Sequence, residues 1–294
     1  MEATVMGVVA LVSVGLPRKM GSLSLFPLYR HDDPPSDVGP AGDALHSGEL
    51  TVTEAADAMV RSLLVCNLSS RSVFFLAGEV VFGGLQDRMI TQSRIVCPGV
   101  AEVPVACVEA GRWSGGTDFD ARTGLSPRRV REGAVFRRMP GGVDQVEVWN
   151  LVAETLAATH VHHSTGSLRA VLEQSGHQVD AMVALGPLPG QCGVAVGSGS
   201  KVLGVELFTT RAVLYSYWEA IVRSYAVDNV GAYQGRPSTG RVLRFLRRGV
   251  DKLQAVPVTA DSESGAGFRA VTEAFVAEAL VHDSTLIHVG VLSP

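Results

Sequence analysis

Four short apolar runs with very short connections constrain the fold of this chain more than any other feature. They occupy residues 62–67, 73–82, 89–97 and 103–109. The residues between them are rich in Gly, Pro and Ser, which favour turns. A parallel crossover needs a dozen or more residues, so connections this short permit only antiparallel neighbours. The sequence therefore predicts an antiparallel β meander in this region.

The pattern changes to helical spacing after residue 142. Apolar residues recur at three- and four-residue intervals over 143–159, and Asp144 is positioned to cap that helix. Further helices are predicted at 167–174, 179–185, 213–225 and 239–253. Further strands are predicted at 5–16, 21–28, 194–208 and 275–292.

These elements predict an α+β fold rather than an all-helical one. The chain has 32 Gly and 14 Pro among 294 residues, which favours turns and short strands. We expect an antiparallel β-sheet or sandwich core from the N-terminal third, joined by the C-terminal strands and surrounded by packed helices. We expect one domain over residues 1–294 with its core at about 11–292. The Gly- and Arg-rich stretch 114–142 is expected to be a mobile excursion or lid.

Composition places the chain among ordinary globular proteins. Apolar residues make up 46%, charged residues 18%, and the formal net charge is −4. This balance gives no overall attraction to phosphate backbones or anionic lipid, so we expect no nucleic-acid and no membrane partner. The four cysteines form no CxxC pair, which favours free thiols in a reducing compartment. We therefore expect a cytoplasmic location.

The first motif with chemical content covers residues 76–88. Glu79 stands in an apolar strand, where an unpaired carboxylate is costly, so a partner such as Arg88 or Arg112 is expected. The glycine pair at 83–84 allows either a tight bend or close approach of a ligand. Gln86 follows the glycines. A hairpin turn held by a Glu–Arg bridge explains the same residues without any ligand.

The second motif covers residues 104–113 and repeats this arrangement. Glu109 ends an apolar strand that contains Cys107, and Arg112 and Trp113 follow closely. If the two strands are neighbours, Glu79 and Glu109 converge at one mouth together with the two arginines. Such a group suits a polar ligand that carries hydroxyls and phosphate. The alternative is that these charged groups only satisfy one another.

Together the two motifs resemble a bacterial family, the ARG and Rhodanese-Phosphatase-superfamily-associated protein domain. The resemblance extends to the segments at 145–149, 204–208 and 286–289, and so from about residue 11 to 292. The family usually has Lys and Asn where this chain has Leu85 and Asp87, so roles of those two side chains do not carry over. The resemblance implies an association with ADP-ribosylglycohydrolase-like and phosphatase-type partners, and no settled activity.

Two hypotheses for function follow. In the first, the protein binds or processes a nucleotide-derived ligand such as ADP-ribose or an NAD-related compound. Its candidate residues are then, by role, the acid/base or ribose-binding carboxylates Glu79 and Glu109, the anion binders Arg88 and Arg112, the orienting amide Gln86, the stacking surface Trp113, and Cys107 within the strongest motif. In the second, the chain is a non-catalytic structural or regulatory module that binds a protein partner. The sequence is compatible with a homo-oligomer.

Three other clusters are weaker candidates for function. The His-Val-His-His segment at 160–163 has metal-ligand chemistry, yet the sequence places no third or fourth ligand nearby, so we expect no metal and no cofactor. Arginines 241, 244, 247 and 248 are interpreted as a solvated helix face. Those at 128, 129, 131, 137 and 138 make the 114–142 stretch locally basic, which suits either an anion clamp or a surface loop.

Overall fold

The computed structural model describes residues 2–31, 34, 36–55, 61–136, 142–174, 176–228, 235–255 and 265–294. The chain divides into two compact units. Unit 1 consists of residues 1–36 with 175–294, and unit 2 consists of residues 37–174. Each unit has its own cluster of buried apolar side chains. The expectation of one domain over residues 1–294 stays a prediction.

The first segment of unit 1 begins with a helix. Its elements are α1 (Glu2–Ala10), β1 (Ser13–Val14), β2 (Arg18–Met20) and β3 (Leu23–Tyr29). The strand predicted over 5–16 is therefore wrong for most of its length. Val5 and Val9, four positions apart, are both buried on one side of α1. A short and almost wholly apolar run carries no periodicity that separates a helix from a strand.

Unit 2 contains the four apolar runs for which a meander is predicted. Its elements are β4 (Val38–Pro40), α2 (Ala41–Ser47), β5 (Leu50–Glu54), β6 (Ser62–Asn67), β7 (Ser72–Phe75), β8 (Glu79–Gly83), β9 (Arg88–Ile90), β10 (Arg94–Val96), β11 (Gly99–Cys107), β12 (Phe119–Leu125), α3 (Arg128–Val130), a π-helical turn (Arg131–Phe136), α4 (Gln145–Ala158) and α5 (Arg169–Leu172). Six strands form an antiparallel sheet in the order β12-β8-β9-β11-β6-β5. A second sheet has the order β10-β7-β4.

The predicted meander is corrected by this topology. The runs at 73–82 and 89–97 each divide into two strands, so β8 pairs with β9 in one sheet and β7 pairs with β10 in the other. Gly78, whose φ is +90°, makes the bend between β7 and β8. A bend of this kind suits glycine, because other residues rarely adopt positive φ. β6 consequently pairs with β5 and β11 rather than with β7.

The stretch 114–142 contributes to the fold of unit 2. β12 is an edge strand paired with β8, and Leu125, Val130 and Val135 are buried. The strand and helices of this stretch were not predicted, because several β12 side chains face solvent and the stretch therefore has few apolar residues. Its arginines at 137 and 138 lie outside the described residues. Its proposed motion as a lid stays a prediction.

The remainder of unit 1 confirms the predicted helices and strands. Its elements are α6 (His177–Leu185), β13 (Gln191–Ser198), β14 (Lys201–Phe208), α7 (Arg211–Val227), α8 (Thr239–Val250), β15 (Gln254–Ala255), β16 (Ala266–Val271), β17 (Val276–His282) and β18 (Thr285–Leu292). The unit's sheet has the order β1-β3-β13-β14-β18-β17-β16-β15, with β2 also paired to β3. The α+β fold class is therefore confirmed.

Helix α8 packs against one face of the unit 1 sheet. Val242, Leu246 and Val250 are buried there, and Gly249 lies so close to Val291 that a Cβ would overlap its side chain. Among the described residues, no helix has both the length and the apolar character needed to cross a membrane. All four cysteines lie in the described ranges and are free thiols.

Candidate functional site

The turn between β8 and β9 is the structural centre of the first motif. Gly83 and Gly84 have φ values of +123° and +54°. A Cβ on Gly84 would overlap the ring of Phe119, and one on Gly83 would meet the backbone of Asp118. The glycine pair therefore allows a tight turn with close approach of the neighbouring chain, which is one of the two roles expected from sequence.

Arg88, the first residue of β9, is completely buried below this turn. Its Nη2 donates to both carboxylate oxygens of Glu54 at 3.2 Å, and its Nη1 donates to Gln86 Oε1 at 3.0 Å and to the sulfur of Cys107. Its guanidinium also lies 5.3 Å from the centre of the Trp113 ring. Paired in this way, a guanidinium is tolerated in a protein interior.

Glu54 was not identified from the sequence. It ends β5, where it is buried, and its Oε1 also accepts the N–H of Leu85 at 2.9 Å. It therefore joins β5 to the 83–87 turn. The sequence did contain one signal, because Leu50, Val52 and Glu54 occupy alternate positions on the buried side of the strand. A carboxylate in such a series indicates a buried cation nearby.

Glu109 lies at the same end of the sheet, two residues after β11. Its Oε2 accepts from Arg112 Nε at 2.8 Å and from the Asp87 N–H at 3.1 Å, and its Oε1 accepts from the Thr165 hydroxyl. Burial alone would raise the pKa of the Glu109 carboxyl. The hydrogen bonds from Arg112 and Thr165 outweigh it, and the pKa is lowered.

Arg112 has an acceptor for each of its five N–H groups. Nε and Nη2 both face Glu109 Oε2, Nη1 donates to the carbonyls of Gly84 and Ser114, and Nη2 donates to the carbonyl of Gly83. Asp87 lies 3.5 Å from Nη2. The pKa of the guanidinium is raised, mainly by its hydrogen bond to Glu109. Arg112 therefore holds the 83–87 turn through main-chain oxygens.

Gln86 and Asp87 complete the connections of the turn. Gln86 Nε2 donates to the Glu109 carbonyl at 2.6 Å. Asp87 Oδ1 accepts the Gly83 N–H at 2.9 Å, and its Oδ2 accepts the Ser167 hydroxyl at 2.7 Å. We call the connected side chains the motif network, which consists of Glu54, Gln86, Asp87, Arg88, Cys107, Glu109, Arg112, Thr165 and Ser167.

Cys107 is buried at the end of β11, and burial raises the pKa of its thiol. Its main chain is held by Gln145, the first residue of α4. Gln145 Oε1 accepts the Cys107 N–H and its Nε2 donates to the Cys107 carbonyl, both at 2.8 Å. The Asp144 side chain accepts the Val146 N–H and confirms the predicted cap of that helix.

The strand pairing does not bring Glu79 to the motif network. Glu79 begins β8, opposite Leu125 of β12, whereas the turn follows Gly83 at the other end of the strand. At about 3.3 Å per residue, the two ends of β8 lie roughly 13 Å apart. The Oε2 of Glu79 accepts the Leu76 N–H at 3.0 Å. Arg88 and Arg112 pair with Glu54 and Glu109 instead of Glu79.

Trp113 and Thr165 are among the members of this region that solvent reaches. Trp113 is 51% exposed over Arg88. Half-buried Thr165 connects the network outwards, because its hydroxyl lies 3.0 Å from Nδ1 of the exposed His163. In the part of the chain that the structure describes, no group of three or more His, Cys, Asp or Glu side chains could hold a metal ion.

The structure thus brings five of the predicted residues into one connected group and adds Trp113 at its edge. These five are Gln86, Arg88, Cys107, Glu109 and Arg112. Sequence reasoning missed four members of the network. Asp87 lies within the first motif, and Glu54, Thr165 and Ser167 come from segments far from both motifs. Chemically, the group combines ionised Glu, Asp and Arg side chains with neutral Gln, Cys, Thr and Ser groups. Most of its hydrogen bonds are directed within the group or at the 83–87 turn.

The fold and this network define an α+β protein whose two Gly- and Arg-containing motifs meet at one end of an antiparallel sheet. A sequence model of the ARG and Rhodanese-Phosphatase-superfamily-associated Protein domain matches residues 11–292. The chain belongs to this family, which confirms the resemblance seen in its motifs. Comparisons with curated proteins and with solved structures gave no match.

Proposed function

We propose that this protein is a non-catalytic structural or regulatory module that binds a protein partner. In this proposal the motif network keeps one end of the unit 2 sheet rigid. The observation that carries it is the state of Arg112, whose five N–H groups all have acceptors within the protein. We place the module in the cytoplasm, as the composition predicts.

Of the guanidinium nitrogens expected to bind an anion, only the buried Nε of Arg88 has no acceptor. Arg88 is fully buried and paired with Glu54, and Arg112 is paired with Glu109. A phosphate would have to replace hydrogen bonds to charged groups, each worth about 1.5–3 kcal/mol net. A ligand that leaves the fold intact therefore gains little binding free energy from either guanidinium.

The electrostatics of Glu109 also argue against a role as general acid. A general acid at neutral pH needs a carboxyl whose pKa is raised towards the working pH. The pKa of Glu109 is lowered instead, because the hydrogen bonds from Arg112 and Thr165 outweigh the effect of burial. Glu109 is therefore a fixed anion that orients Arg112.

One observation favours a second candidate, a nucleotide-derived ligand such as ADP-ribose or an NAD-related compound. Trp113 is half exposed, with its ring next to Arg88. The Thr165 hydroxyl, which donates to Glu109, also lies 3.0 Å from the exposed His163. A base stacked on an aromatic ring gains about 1–3 kcal/mol. This candidate needs no donor from Arg112.

A thermal-shift experiment separates the two candidates. The wild-type protein, Trp113→Ala and the control Tyr215→Ala are heated with and without ADP-ribose or NAD. Tyr215 is 65% exposed and belongs to unit 1. The module proposal expects no ligand-dependent rise in Tm for any of the three proteins. A rise that Trp113→Ala abolishes and Tyr215→Ala retains would overturn it in favour of the nucleotide ligand.

A further inference from the structure

Helix α8 presents a basic face on a rigid support. Its apolar side, with Val242, Leu246 and Val250, is buried in the unit 1 core. The Ser238 side chain caps its start by accepting the Arg241 N–H at 3.2 Å. The opposite side therefore has a fixed position and direction relative to the unit 1 sheet.

That opposite side carries five cations and one carboxylate. The exposed residues, which we call the α8 basic face, are Arg241, Arg244, Arg247, Arg248, Asp251 and Lys252. Within the described ranges, none of these cations forms an ion pair. Three other exposed or half-exposed arginines, Arg122, Arg169 and Arg223, each pair with two carboxylates. Among the described residues, the α8 basic face is thus a concentration of positive charge that includes one carboxylate, Asp251.

The position of Arg241 adds an independent argument. It lies in the first turn of α8, where the positive end of the helix dipole makes a cation unfavourable. Arg247 and Arg248, in the last turn, are placed as the dipole favours. Helix stability therefore explains the arginines at the end of α8 and does not explain the one at its start.

We propose that the α8 basic face docks a short acidic segment of a partner protein, an inference that rests on the proposed partner-binding function. Guanidinium groups bind carboxylates through paired hydrogen bonds. From Arg241 to Arg248 the helix rises about 10 Å, the length of three or four extended residues. Half-buried Leu243 and Phe245 border the arginines, and protein interfaces combine apolar side chains with arginine in this way.

Charge favours such a segment over a nucleic acid. The chain has a formal net charge of −4, so a long polyanion that extends beyond the face meets repulsion from the rest of the protein. A segment of a few carboxylates interacts with the face alone. Binding of both is screened by salt, so the probes have to be compared at the same ionic strength.

Fluorescence polarisation of a fluorescein-labelled peptide of five Glu-Asp repeats tests the proposal. Three proteins are titrated at low salt: the wild type, an α8 triple variant and a control triple variant. The α8 variant carries Arg241→Gln, Arg244→Gln and Arg248→Gln. The control carries Arg61→Gln, Arg71→Gln and Arg129→Gln. The control removes the same charge from exposed arginines of unit 2. Circular dichroism melting confirms that both variants fold. A 20-base-pair DNA duplex with the same label serves as the second probe.

The proposal expects peptide binding that weakens about tenfold in the α8 variant and less than twofold in the control. Absence of peptide binding to wild type, equal losses in both variants, or tighter binding to DNA than to peptide would overturn it. These outcomes are independent of Trp113 and of the motif network. A nucleotide-dependent rise in Tm that requires Trp113 would therefore reject the module proposal without deciding whether α8 binds acidic segments.

Discussion

The guanidinium of Arg88 and the carboxylate of Glu54 meet in the interior of unit 2, although 34 positions separate them in the chain. Glu54 supplies both oxygens to Arg88 and also accepts the Leu85 N–H. One carboxylate therefore neutralises a fully buried cation and holds the turn above it. This pair makes the 83–87 turn part of the core.

Replacement of Glu54 by Gln should destabilise the protein strongly. Removing one partner of a buried ion pair typically costs about 3–5 kcal/mol, because the other charge remains buried. Urea unfolding measures the loss of unfolding free energy. The control is Glu49→Gln, because Glu49 is exposed and directly precedes β5. Equal unfolding midpoints for the two variants would contradict the role assigned to Glu54.

The lowered pKa of Glu109 predicts a pH dependence of stability. Because the folded pKa lies below the unfolded one, ionised Glu109 stabilises the fold above its ordinary value of about 4.3. That contribution is lost as the pH falls through the folded pKa. Wild type should therefore lose more stability between pH 5 and pH 3 than Glu109→Gln does. The exposed-site variant Glu147→Gln should keep the wild-type slope, and identical slopes for all three proteins would refute the prediction.

Gln145 should stabilise the fold through its hydrogen bonds to the main chain of Cys107. Gln145→Ala leaves the Cys107 N–H and carbonyl without their 2.8 Å partners, at an expected cost of about 1–3 kcal/mol. Hydrogen exchange should show faster exchange of the Cys107 amide in this variant. Asn150→Ala, an exposed change on the same helix, controls for lost helix contacts. Unchanged protection of Cys107 would show that Gln145 does not hold the strand end.

Alanine substitutions at two glycines with positive φ allow the cost of backbone strain to be compared with that of steric overlap. A Cβ on Gly99 meets nothing within 4 Å, whereas one on Gly78 overlaps the buried side chain of Arg131. Gly99→Ala should cost roughly 1–3 kcal/mol from strain alone. Gly78→Ala should cost clearly more, because Arg131 has to move. Thermal unfolding of both variants gives the comparison, and a smaller loss for Gly78→Ala would be inconsistent with this packing.

Local signals predicted helices α4 to α8, whereas α1, α2 and α3 were missed. The α4 helix was readable from the spacing of its apolar residues and from Asp144, because capping and periodicity depend on residues within one or two turns. The prediction of a strand at 5–16 was wrong for the opposite reason. Its apolar run contains no periodicity, and only the packing of Val5 and Val9 against the core selects a helix.

The candidate site was predictable only in part, because its connections are not local. Glu109 and Arg112 are three positions apart, so their pairing could be expected from the sequence. The contacts of Glu109 with Thr165 and of Arg88 with Glu54 depend on how distant segments and strands are arranged. Glu79 was expected beside Glu109 because the bend at Gly78 and the exact span of β8 are not readable from composition.

A double-mutant cycle between Glu109 and Arg112 tests the central claim most directly. Unfolding free energies of wild type, Glu109→Gln, Arg112→Gln and the double variant are measured in urea without any added ligand. Our account predicts a coupling energy of about 1–3 kcal/mol, because each side chain organises the other within the network. Additive losses, with a coupling near zero, would contradict the account and show that this pair does not support the fold.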